Sequence, residues 1–70
     1  ERERQVLERV RLGASSIAAM VAEMYAAVDV ELHPAARRSV LAHVLKLFDD
    51  GVITTADGRR PQESSTLVAV

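Results

Sequence analysis

The sequence predicts a mostly α-helical domain, three helices followed by a C-terminal β-hairpin. Apolar residues recur at helical spacing in three separate stretches of the 70-residue chain. Beyond Gly51 the pattern changes to two short β-branched runs around a polar loop. The chain has no cysteine, so helix packing rather than a disulfide frame must hold it together.

The first helix is expected over about residues 2–12, within the segment ERERQVLERVRLG. Val6, Leu7 and Val10 form one narrow apolar stripe, and the other faces are charged. Arg4 and Glu8 lie one turn apart, as do Glu8 and Arg11, which gives weak surface support. Gly13 stands where a helix end favours a left-handed residue.

Ser16 is a good N-cap for the second helix. Ile17, Met20, Val21, Met24 and Tyr25 follow the i, i+3, i+4, i+7, i+8 series, so one face is buried. The two methionines read as gap-filling core. This helix is expected to run to about Ala26 or Ala27. Only Ala14 to Ser16 separate it from the first, which forces a sharp turn.

The third helix is expected over residues 34–50, roughly 25 Å long at 1.5 Å per residue. Pro34 suits its first turn, with His33 before it as a capping residue, and Gly51 suits its end. Val40, Leu41, Val44, Leu45, Leu47 and Phe48 cover more than one stripe. So small a core is not expected to bury them all, which leaves apolar surface on this helix for a partner or a second copy.

Val52 to Thr55 and Thr66 to Val70 read as strands, and Asp57-Gly58 and Pro61 mark the loop between them. An isolated hairpin is marginal, so this one must lie on the helices. Helix, helix, helix, hairpin is the order of a winged helix. A plain three-helix bundle with a frayed tail is the alternative, and the β-branched tail favours the wing.

Composition narrows the function. The net charge of −1 gives no global basic field for nucleic acid or an anionic membrane. No apolar run approaches the roughly 18 residues of a membrane span. The expected setting is cytoplasmic. Residues 1–70 read as one domain, with no repeat and no internal boundary.

Tyr25-Ala26-Ala27-Val28-Asp29, then Leu32-His33-Pro34-Ala35-Ala36-Arg37-Arg38-Ser39-Val40-Leu41-Ala42-His43, resembles the C-terminal winged-helix domain of metallo-β-lactamase-fold hydrolases. These include glyoxalase-II-like and endoribonuclease-like proteins. The resemblance covers roughly residues 3–55 and is most specific in the Leu32–His43 block. It extends to the Gly13–Ser16 start of helix two and the Leu47-to-Gly51 end of helix three. The chain departs from the pattern at Ala19, where a capping box has glutamate, and in a longer tail beyond Gly51.

The resemblance implies that the chain is the C-terminal part of a larger protein whose hydrolase core binds zinc or another divalent metal. The His-x-His-x-Asp-His cluster of that core is absent here. His33 and His43 are ten residues apart, which is not a helical ligand spacing. Neither the serines nor the paired carboxylates Asp49-Asp50 show a base–orienter arrangement. No catalytic and no metal-binding residue is therefore expected in this segment, and no cofactor.

The expected function is that of a non-catalytic accessory domain that docks on the hydrolase core of the same polypeptide and shapes substrate access. Arg37, Arg38, Lys46, Arg59, Arg60 and, more weakly, His33 are the candidates for contacts to substrate, nucleic acid or the core. Two further readings stand beside it. One is a stand-alone winged-helix DNA-binding domain, with weak nucleic-acid binding through the same cations. The other is a dimerisation or docking module that self-associates.

Overall fold

Gly13 and Gly51 end two helices in the same way. Each takes a positive φ, +108° and +79°. At the first end, Gly13 N–H donates to Val10 and Ala14 N–H to Arg9. At the second, Gly51 N–H donates to Phe48 and Val52 N–H to Leu47. Both are Schellman closures, which satisfy carbonyls that the helix leaves unpaired.

The computed structural model describes residues 1–70. The helices are α1 (Arg2–Arg11), α2 (Ile17–Met24) and α3 (His33–Asp49), with a 3₁₀ turn at Val30–Leu32. The strands are β1 (Ile53–Thr55) and β2 (Leu67–Ala69). They pair antiparallel, with Ile53 opposite Ala69, Thr54 opposite Val68 and Thr55 opposite Leu67. This is the mostly helical winged-helix arrangement expected from the sequence.

Ser16 caps α2 as expected: its hydroxyl accepts the Ala19 N–H at 3.0 Å. With alanine at that third position, no return bond from a capping box is available. Val6 and Val10, then Ile17, Met20 and Val21, then Val40, Val44 and Leu47 point inward from the three helices. Ile53 and Leu67 close the core from the hairpin. The radius of gyration of 11.1 Å is about that of any folded chain of this length, so the hairpin lies back on the helices.

A further bond ties the hairpin into the fold. Leu67 N–H donates to the Ser15 carbonyl at 2.8 Å. The link between α1 and α2 thus lends β2 a single rung of a third strand. Thr55, the one buried hydroxyl, lies 2.7 Å from the Arg59 carbonyl and 2.9 Å from the Asp57 carboxylate, so it is not orphaned.

Several details differ from the sequence reading. The second helix stops at Met24, two or three residues early. The third begins at His33, and a 3₁₀ turn precedes it. Each strand is shorter than its β-branched run. As expected, the core does not bury every apolar residue of helix three: Val40, Val44 and Leu47 are buried, and Leu41, Leu45 and Phe48 are half-buried. Leu41 and Phe48 pack against the core. The large apolar side chains that do face solvent are elsewhere, most openly at Leu12, Val30, Leu32 and Val70.

Candidate functional site

The basic candidates do not act as free cations together. Arg37 Nε lies 3.5 Å from the Glu63 carboxylate, which links α3 to the wing loop. Arg60 Nη1 donates to Asp49 at 3.1 Å, a second tie between the same two elements. Lys46 Nζ donates to Asp50 at 2.8 Å, one turn further along α3. That hydrogen bond, with the charge of Asp50 behind it, raises the pKa of Lys46. Arg38 and Arg59 are exposed and have no ion-pair partner. Asp49 and Asp50 therefore neutralise much of the cationic end of α3.

His33 is engaged inside the fold. Its Nε2 lies 3.1 Å from the Tyr25 carbonyl and 3.2 Å from the Val28 carbonyl. Both partners are acceptors, so Nε2 carries the proton. The expected capping role at the start of helix three is thus corrected. The imidazole serves the carbonyls at the end of α2 and in the turn beyond it, while Leu32 occupies the N-cap position of α3 without a side-chain bond. His43 faces another element, its Nδ1 3.9 Å from the Glu3 carboxylate of α1.

These placements do not fit a hydrolase metal centre. His33 spends its Nε2 on backbone carbonyls, and no three ligating side chains gather at one point.

Two surface features stand out. The first is the segment between α2 and α3. Val30 is 73% exposed and Leu32 57%, with Val28 at the exposed margin beside them. Asp29 and Glu31 alternate with these apolar residues and make no ion pair. Sequence reasoning missed this segment because it sought apolar surplus on the longest helix. The available signal was Val30 and Leu32 standing outside any helical stripe. The second feature is a cavity of about 380 Å³ in the wing loop, bordered by Arg59, Arg60, Gln62, Ser64 and Thr66, with Asp57 at its edge.

A family model described as the beta-lactamase associated winged helix domain matches residues 16–60. The chain belongs to that family. The match runs from Ser16, the cap of α2, to Arg60 in the wing, so it takes in α2, α3 and β1. No curated protein and no solved structure matches the chain. This beta-lactamase-associated winged-helix domain contains no helix long and apolar enough to cross a membrane.

Proposed function

We propose that this winged helix is a non-catalytic accessory domain that docks on the β-lactamase-fold hydrolase core of its own polypeptide and shapes substrate access there. The parent core, not this domain, would hold the divalent metal. The supporting observation is the exposed run Val28, Val30 and Leu32, held in a fixed turn by His33.

The energetics favour such a role over self-sufficiency. Covering the exposed parts of Val30 and Leu32 stabilises by roughly 1–2 kcal/mol each. That is too little to hold two free proteins together against the cost of association. It is enough when both surfaces share one chain, because the effective concentration is then high. Asp29 and Glu31 suit a core whose apolar contact is flanked by basic side chains. The ion pairs of Arg37, Lys46 and Arg60 support this reading over an autonomous DNA reader, which needs free cations for phosphate.

Limited proteolysis of the whole parent protein, in which domain and core share one chain, tests the proposal. The turn Val28–Leu32 should resist cleavage there, and the double variant Val30→Asp, Leu32→Asp should make it cleavable while leaving the domain folded. Cleavage as fast in the parent as in the isolated domain, or a parent chain without a metal-binding histidine cluster, would end the proposal.

A further inference from the structure

We propose that the wing-loop cavity is a binding site for a phosphate group. Its border is almost wholly polar, with one apolar residue among the eight that line it. A pocket for an apolar ligand has the opposite make-up. The donors outnumber what a two-oxygen carboxylate accepts. Arg59 has an exposed guanidinium with no carboxylate partner. Arg60 spends Nη1 on Asp49 and keeps further N–H donors. The Ser64 and Thr66 hydroxyls have no protein partner, and the backbone N–H groups of Arg60, Ser64 and Thr66 donate to nothing in the chain. A phosphate offers several strong acceptors on a tetrahedral frame, which suits this set.

The acidic residues of the loop are turned to other work. Glu63 is drawn to Arg37 on α3 and does not border the cavity, although Gln62 and Ser64 on either side of it do. Asp57 is the one carboxylate at the border, and its Oδ1 already accepts from Thr55 Oγ1 and from Arg59 N–H. Asp49 balances Arg60 from outside the cavity, so the guanidinium left free of any carboxylate is that of Arg59.

The loop is also built before any ligand arrives. Ser65 N–H donates to the Gln62 carbonyl at 3.1 Å, and Gln62 N–H donates back to Ser65 Oγ at 2.8 Å. Asp57 fixes the other side through Arg59 N–H at 3.0 Å. A loop ordered in advance loses little entropy on binding. The phosphate belongs either to a small phosphorylated molecule or to the backbone of a polynucleotide.

Amide chemical shifts of the 70-residue chain, followed during titration with inorganic phosphate against sodium chloride of equal ionic strength, test this. A nucleoside monophosphate and a single-stranded oligonucleotide form two further arms. Saturable shifts are expected at Arg59, Arg60, Ser64 and Thr66. Arg59→Gln should weaken binding about tenfold or more, as loss of a charged hydrogen-bond donor does. Ser64→Ala, which breaks no bond within the wing, should weaken it by a smaller factor. Arg11→Gln, on α1, should change nothing. Tighter binding of the oligonucleotide through the same residues assigns the phosphate to a polynucleotide backbone. Equal affinities assign it to a lone phosphate group. No saturation beyond the chloride control, or unchanged affinity in a folded Arg59→Gln variant, would overturn the proposal.

Discussion

The imidazole of His33 reaches back eight residues to the carbonyl of Tyr25, 3.1 Å from its Nε2. The contact joins the first residue of α3 to the residue that caps the C-terminal end of α2. It fixes the intervening turn, with Val28, Val30 and Leu32 on its outside.

His33→Phe keeps the ring volume and removes the donor. Two carbonyls would then lose a shared hydrogen bond, so the domain should lose about 1 kcal/mol of stability. Chemical denaturation measures this. Nitrogen chemical shifts of the wild-type ring should show the proton on Nε2 whenever the imidazole is neutral.

The turn that His33 closes also explains where the sequence was readable and where it was not. Ser16, Gly13 and Gly51 act within one or two turns of their own helices, so their roles follow from residue type and spacing. Tyr25, Ala26 and Ala27 continue the helical pattern of α2, yet the helix stops before them. The carbonyls there are taken by a side chain from the next helix, and periodicity carries no trace of such a contact. The same holds for the rung between Ser15 and Leu67. It holds again for the pairs that fasten the wing, Arg37 with Glu63 and Arg60 with Asp49. Those cations were legible as cations, but their partners lie on elements that only the folded chain brings near.

Gly51 offers a test of backbone conformation alone. Its φ is +79°, and a Cβ built there meets nothing within 4 Å. Gly51→Ala should therefore cost about 1–2 kcal/mol through left-handed strain, with no steric share. Gly51→Asn should cost clearly less, since asparagine tolerates this region. Equal melting temperatures for the two variants would count against the assignment.

The core is thin, so one truncation should be severe. Ile17 is fully buried where α2 begins. Ile17→Ala should cost about 3 kcal/mol, a large part of what a domain of this size has in total. Circular dichroism should show a shallow, early melt or a chain largely unfolded at room temperature.

Asp57 gives the wing a pH dependence. The Arg59 N–H, and after it the Thr55 hydroxyl, hold its carboxyl below the ordinary carboxylate range. A depressed folded pKa means that the unfolded chain takes up the proton first as pH falls. The contribution is therefore complete above the ordinary carboxylate range and is lost as pH drops through the lower, folded value. Asp57→Asn should flatten that part of the acid-stability profile. Carboxyl carbon shifts should place the Asp57 midpoint below the ordinary carboxylate range.

Hydrogen exchange across Val28–Leu32, in the parent polypeptide and in the isolated domain, most directly tests docking on a hydrolase core. The backbone N–H groups of Val30 and Glu31 have no acceptor within the chain, so they should exchange fast in the isolated domain. In the whole protein this peptide should be markedly protected, and Val30→Asp with Leu32→Asp should restore fast exchange. Identical rapid exchange in both forms would contradict the docking role assigned to this surface.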